Sequence, residues 1–421
     1  MNSEIKRNPV SLCERALFLL LIFAWTACLA TILAHPIFVT NDSVSDYAHV
    51  WYIAKVLWGG GGLPFHFSLV EHGAAMAYPY GFIAWTSAAL LRPVLGDWVT
   101  TLWLVGGGLG VLSASVWAFP EVRRVRAMAM LLANPLMVEA VLLGQLPFLW
   151  ATAFWFVAIG LWRRDHVVAA VVVAALAQSG HAAVVLPLAG LTVLGRLPFE
   201  PRPRRLFIAY CASVLLASPA IVLVFISPVV QDSSLYSLAA NFLGTVSLRA
   251  GVMFAPFAII LLDRRLPRPA LLGVVLALVA LNFLLIPIRH TGYAWHALAR
   301  TPDTALVPFL QSSAFEPGAT YRLLRVADGK MGMYQLIQHG GKLDSEFFPE
   351  SIDRRSWPSA AGYAAFLRGR QVDDVIIYFN YDVRYQTNEH QLLDQLVGQG
   401  CATLRLRTAT FDLYHLTGSC K

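Results

Sequence analysis

AMAMLLANPLMVEAVLLGQLPFLWATAFWFVAIGLW, residues 127 to 162, is the stretch on which the fold turns. It is apolar almost throughout, yet it is interrupted twice, at Asn134-Pro135 and at Gly144-Gln145-Leu146-Pro147. An apolar run long enough to cross a bilayer reads as helix, because hydrocarbon offers backbone N–H and C=O groups no partner but each other. Breaks at membrane depth are tolerated only where the backbone is buried in protein or lines a wet cavity. The stretch therefore predicts broken helices around an internal cavity.

The rest of the chain extends this reading. Of 421 residues, 57% are hydrophobic and only 14% charged, and the mean hydropathy is +0.59. A soluble globule carries nearer a quarter charged residues, so this composition excludes one. The runs are long and lack the dyad alternation of an outer-membrane barrel, which leaves a polytopic α-helical membrane protein. Apolar runs fall at 16 to 34, 79 to 95, 98 to 119, 167 to 194 (broken at Gln178-Ser179-Gly180-His181), 207 to 227, 248 to 263 and 269 to 288. About eight to ten membrane segments are expected, some of them short or broken. Two full spans between the far-side loop and Arg123 would put the first arginine cluster on the wrong side. Either one segment is half-length, with the pieces around Asn134 and Gln178 the expected short or re-entrant ones, or the rule is locally violated.

The net charge of +7 does not point to nucleic acid. The arginines sit between apolar runs, as Arg123-Arg124 with Arg126, Arg163-Arg164, Arg202 with Arg204-Arg205, and Arg264-Arg265 with Arg268. This is the positive-inside pattern. It predicts a cytoplasmic N-terminus, with residues 1–300 forming the membrane domain. The first run follows Lys6, Arg7 and Arg15, is too long for a usual signal-peptide core and has no cleavage site, so it reads as a retained span. Past residue 300 polar residues return and apolar runs shorten to strand length. Thr320 to Val326, Asp374 to Phe379, Ala402 to Thr408 and Thr410 to Leu416 read as strands, and Ser359 to Arg370 and Glu389 to Val397 as helices. Residues 301–421 are thus expected to be a small extracytoplasmic α/β or α+β domain. There Cys401 and Cys420 flank a hairpin and are either disulfide-bonded or free thiols.

Between the first two apolar runs, residues 35 to 78 make a long far-side loop, uncommon unless functional. It holds Asp42 and Asp46, four apart and so on one face whether helical or extended, and an aromatic segment, Tyr47 to Trp58, that reads either as a helix lying on the bilayer surface or as an aromatic belt anchor. Asp42 and Asp46 are each either a helix N-cap or a reacting carboxylate. His66, Glu71 and His72 lack a ligand spacing and read as a solvated loop, so no metal ligands are assigned. Arg249, inside an apolar run, and Arg289-His290, at the end of the last one, are either snorkelling cations or contacts to a lipid phosphate. Gln145 and His181, at helix breaks, are either packing groups or cavity contacts.

The sequence Asp46-Tyr47-Ala48-His49-Val50-Trp51-Tyr52-Ile53-Ala54-Lys55 is followed by glycines, Leu63-Pro64-Phe65 and then Tyr78-Pro79-Tyr80-Gly81. Together with Leu95-Gly96-Asp97-Trp98, Asn134-Pro135-Leu136, Gly144-Gln145 and Leu186-Pro187, it resembles the GT-C superfamily of membrane glycosyltransferases. It is similar in particular to the family that adds the first mannose in glycosylphosphatidylinositol synthesis and to bacterial relatives. The resemblance covers roughly residues 40 to 190 through short, loosely spaced motifs. It implies an inverting transfer of sugar from a polyprenyl-phosphate donor to an extracytoplasmic glycolipid or envelope-glycan acceptor. Asp46, matching the second acid of the family's Asp-x-Asp, would be the general base. Arg249, Arg289, His290, Tyr78, Gln145 and His181 would be substrate contacts. The first acid of the motif is Val44 here, with Asp42 two residues earlier, which weakens a paired-carboxylate metal site and leaves the cofactor unassigned. The competing class is a non-catalytic membrane protein, a transporter or envelope-assembly component that kept the architecture. A transporter should show paired inverted repeats, and no convincing internal repeat is present.

Overall fold

The structure is a computed structural model that describes residues 9–40, 43–76, 81–225, 235–289, 298, 304–325, 330–345 and 356–417. The chain divides into two compact units, one of residues 1–46 and 77–300, the other of residues 47–76 and 301–421.

The first unit is a helical bundle. Its helices are α1 (Pro9–Ile32), the first turn of α2 (Ser43–Val56), α3 (Phe82–Leu95), α4 (Trp98–Ala118), α5 (Val125–Leu132), α6 (Pro135–Leu142), α7 (Leu146–Arg163), α8 (Val167–Gly180), α9 (Ala182–Arg196), α10 (Pro203–Phe225), α11 (Leu235–Arg265) and α12 (Arg268–Arg289). Among the described residues four helices are long and apolar enough to cross a membrane, and α5 with α6, bent by 45° at their break, have the length and composition of either one broken span or a re-entrant loop. Asn134 stops α5 and caps α6, its side chain accepting from the Leu136 N–H while Pro135 takes the first helical position, where a missing N–H costs nothing. α6 ends at Gly144, whose φ of 75° favours glycine. A Cβ there would lie 2.5 Å from Thr40 Oγ1 and 2.8 Å from the Ser43 Cβ, so the break brings α6 against the start of α2. The expected interruptions at Asn134, Gly144 and Gln178–His181 are all real helix ends.

The pieces expected to be short are so, α5 and α6 with 8 residues each and α8 with 14, and ahead of Arg123 a further short segment, α3, restores the charge rule. α3 has 14 residues, a rise of about 21 Å against a hydrocarbon core of about 30 Å. Near its start Trp85 donates to Asp46, and two residues on Ser87 accepts from Trp103 of α4. Thr101, at the head of α4, donates to the carbonyl of Pro36, just beyond α1. The end of α1, the whole of α3 and the start of α4 therefore share one end of the bundle, and between α2 and Arg123 only α4 traverses it. At the opposite end the arginine-bearing turns are tied by ion pairs. Arg124 and Arg126 meet Asp263, Arg163 meets Glu121, and Arg205 meets Asp165.

The second unit is a mixed five-stranded sheet with helices. Its strands are β3 (Thr320–Leu324), β4 (Lys342–Leu343), β5 (Asp374–Tyr378), β6 (Ala402–Arg407) and β7 (Phe411–Leu416), in spatial order β4-β3-β5-β7-β6. β3 runs parallel to β4 and β5, while β7 is antiparallel to β5 and β6. The short strands β1 (His66–Phe67) and β2 (Ala74–Ala75) form a hairpin, and Val70 between them bridges to Leu343 at the sheet edge. Helices α13 (Val307–Leu310), α14 (Lys330–Gln338), α15 (Ala360–Gly369), α16 (Tyr381–Tyr385) and α17 (Glu389–Gly398) complete the unit. Val375 and Ile377 of β5 pack with Tyr363 and Leu393 in its apolar core. Arg322 of β3 is buried and satisfied by a bidentate bond to Glu389 at 3.0 and 3.1 Å and by Asp344 at 2.9 Å. Cys401 is disulfide-bonded, while Cys420, the partner named from sequence, lies outside the described residues.

Residues 47 to 56 of α2 correct one expectation. Their aromatic face is covered by protein. Tyr47, Val50, Tyr52 and Ile53 are buried. Tyr47 and Trp51 pack on Tyr334 of α14, and Tyr52 stacks on Phe67 at 4.1 Å. An aromatic stripe at helical spacing shows only that a face needs covering, and here protein covers it.

Candidate functional site

Asp46 is the fourth residue of α2. It lies inside the first turn, not ahead of the helix as an N-cap would. The turn before it is locked by reciprocal bonds: the Thr40 N–H donates to Ser43 Oγ at 2.8 Å and the Ser43 N–H to Thr40 Oγ1 at 3.0 Å. Thr40 Oγ1 also donates to the Leu143 carbonyl at the end of α6, at 2.7 Å. This sets Asp46 on a fixed scaffold, with 3% of its surface exposed.

A buried carboxylate needs donors, and one of them is Trp85, whose indole Nε1 donates to Asp46 Oδ1 at 2.6 Å. Gly81 aims that ring. Its φ is 80°, and a Cβ there would fall 2.4 Å from the Trp85 indole, so any other residue would push the ring away. The Gly81 N–H in turn donates to the carbonyl of Gly180 at 3.3 Å, which ties the head of α3 to the break between α8 and α9.

His181 sits at that break, buried, with its ring edge-on to Phe148 at 6.1 Å between centroids. Phe148, on the first turn of α7, also has the Arg249 guanidinium over its face at 5.5 Å, a cation–π contact. Arg249 is itself buried. Gln145, the residue before α7, is buried beside Gly144. Asp46, Gln145, His181 and Arg249, singled out separately from sequence, thus belong to one end of the bundle and are linked through Trp85, Gly81 and Phe148. Gln178, buried on α8, donates to Ser213 of α10 at 2.9 Å and packs the helices there.

Asp42, Tyr78 and His290 lie outside the described residues. Arg289 is the last residue of α12. His66 and Glu71 belong to the hairpin of the second unit, where His66 Nδ1 is 3.1 Å from the Gly73 carbonyl and Glu71 lies 3.9 Å from Arg370. Among the described residues no three His, Cys, Asp or Glu side chains gather as a metal site.

Two residues escaped the sequence reading. Trp85 carries no signal in one dimension, standing 39 positions from Asp46. Glu139 does carry one, as the lone acid in the apolar stretch from 127 to 162, where an ionisable side chain is costly and marks function by default. It is 1% exposed. Asn134 Nδ2 reaches the Gly251 carbonyl, and a Cβ at Gly251 would strike Leu136. The bonds Asn134–Gly251 and Arg124–Asp263 show α5–α6 and α11 running antiparallel, so Glu139, three residues past Leu136, falls level with the turn of α11 that bears Arg249. A general base and cations for a leaving phosphate are the groups that glycosyl transfer from a lipid phosphate requires.

No family model matches the sequence, and no curated protein is similar to it. Solved structures are similar in fold. ArnT of Cupriavidus metallidurans bound to undecaprenyl phosphate aligns with a TM-score of 0.50 at 12% identity, covering 96% of this chain and 98% of that one. The apo state of the same protein aligns with a TM-score of 0.50 at 13% identity, covering 95% and 98%. The chain is a polytopic α-helical membrane protein that shares the fold of these structures.

Proposed function

We propose that this protein is a membrane glycosyltransferase that moves a sugar from a polyprenyl-phosphate donor to an extracytoplasmic glycolipid or envelope-glycan acceptor. The observation that carries the reading is Asp46, a buried carboxylate with an indole donor in the first turn after the first span of a GT-C fold. That a structural neighbour was solved with undecaprenyl phosphate bound supports the donor class. Asp46 accepts the proton of the acceptor hydroxyl as its oxygen attacks the anomeric carbon from the face opposite the phosphate. The anomeric C–O bond to phosphate breaks with inversion, and polyprenyl phosphate departs with the negative charge, stabilised by Arg249 and Arg289. His181 and Gln145 contact the sugar, and Asp42, Tyr78 and His290 complete the substrate contacts.

In this reading the N-terminus and the arginine-rich turns are cytoplasmic. Asp46 and residues 301–421 then face the other side of a bacterial-type inner membrane.

The test is transfer of labelled sugar from a polyprenyl-phosphate donor in membranes. Asp46→Asn is expected to lower the rate by about 10²–10⁴-fold, the usual contribution of a general base, while the protein stays inserted and folded. Transfer at the wild-type rate removes Asp46 from this role.

A further inference from the structure

The bundle has a cavity that the transfer reaction does not use. It has a volume of about 400 Å³ and lies at the arginine-bearing end, among α7, α8, α9, α10 and α11. This is the opposite end from Asp46. Close-packed interiors leave few voids larger than a water molecule, whereas this one is within the roughly 300–1,000 Å³ range of ligand pockets. Small side chains, Ala158, Ala170 and Ala174, line it together with the rings of Trp155 and Phe257.

Its mouth is cationic. Arg163, Arg196 and Arg264 line it, with Glu121 as the lining acid. Arg163 holds Glu121 with both terminal nitrogens, at 3.0 and 3.3 Å, and that bond keeps the Glu121 carboxyl below its ordinary range. Arg196 is paired with Glu200 at 3.2 Å. Arg264 approaches the already engaged Glu121 only to 3.8 Å, and 65% of its side chain is exposed. One carboxylate between two guanidiniums leaves the mouth with net positive charge. Arginine's planar fork suits phosphate, and anionic lipids gather at the positive face of membrane proteins.

We propose that this cavity holds one acyl chain of an anionic glycerophospholipid, whose phosphate docks on Arg264 and Arg163. The apolar depth takes the chain and the charge of the mouth selects the headgroup. The inference rests on the membrane-embedded bundle alone and stands whether or not Asp46 is a catalytic base.

Native mass spectrometry of the full-length protein, delipidated in detergent and titrated with phosphatidylglycerol or phosphatidylcholine of identical chains, tests it. Phosphatidylglycerol is expected to bind the wild type more tightly than phosphatidylcholine. Arg264→Gln lowers its affinity by about tenfold, the effect of one charge-assisted contact, and lowers that of phosphatidylcholine, whose phosphate charge is offset by its choline, by less. Ala174→Leu, which narrows the cavity, weakens both lipids, and the smaller change Ala174→Val does so to a lesser degree should the leucine variant fail to fold. Equal affinity for the two lipids, or phosphatidylglycerol binding that survives Arg264→Gln and the Ala174 variant that folds, overturns the proposal. So does a lipid-free dimer, which would make a second copy of the chain the occupant.

Discussion

The two ends of the helical bundle handle polar groups in opposite ways. At the arginine-bearing end, charges sit on turns between helices and pair at the surface. Arg163 with Glu121 and Arg205 with Asp165 leave their partners substantially exposed. At the other end Asp46, Glu139, Gln145, His181 and Arg249 are all buried, and the helices break where they gather. Exposed pairs contribute roughly 0–1 kcal/mol each, whereas a buried ionisable group in a membrane is costly enough that it persists only with partners or a purpose. The first end ties the helices together, and the second is the one to which the proposed transfer is assigned.

Substitutions can break this division, and the effects should descend in size from the buried end to the surface one. Arg249→Gln is expected to raise the KM for the polyprenyl-phosphate donor by about 10–100-fold, the range for a lost bond to a charged group. Arg249→Lys recovers part of that loss, because it restores charge without the guanidinium fork. Steady-state kinetics with varied donor separates the two, and an unchanged KM removes Arg249 from the phosphate. Trp85→Phe keeps an aromatic ring but deletes the donor to Asp46, so kcat should fall by about tenfold, worth one bond to a charged acceptor. The donor KM should stay near the wild-type value. A matching loss of thermal stability with no change in kcat would make Trp85 a packing residue only.

Asp263→Asn addresses the surface end. Asp263 is buried between Arg124, 58% exposed, and Arg126, 24% exposed. Breaking a fully buried pair costs about 3–5 kcal/mol, but solvent screening of these two arginines reduces that to about 1–2 kcal/mol. Thermal unfolding in detergent should register the loss while the transfer rate of the folded fraction stays unchanged. A fall in specific activity would show that the two ends are not separable.

The same contrast explains what could be read in one dimension. Helix breaks at Asn134, Gly144 and His181 were legible because Pro, Gly and polar residues inside an apolar run have few other meanings. The strands and helices of the second unit were legible from alternation and spacing. The role of α3 was legible only as a contradiction in the arginine count: an apolar run of that length looks like a span, and only the bonds from Trp85 and Trp103 show that it stays at one end. The aromatic face of α2 was misassigned for a related reason. Periodicity reports that a face is covered, and lipid and protein are equally good covers for Tyr47 and Trp51. Glu139 was missed although its cost in the membrane was visible, whereas no pattern connects Trp85 to Asp46 before the chain folds.

The half-length of α3 also bears on how the protein is assembled. Between α3 and α4 stand only Gly96 and Asp97, so an insertion machinery scanning for apolar spans meets one long stretch and can thread only a single crossing from it. Partition into lipid fixes α4, while α3 has too few residues to be held by the bilayer alone. Its final position must come from contacts made after insertion, among them the ring of Trp85 closing on Asp46 and the Gly81 amide reaching Gly180. The reactive end is therefore completed last, by tertiary docking, and a newly inserted chain should be fully threaded through the membrane before it is competent to act.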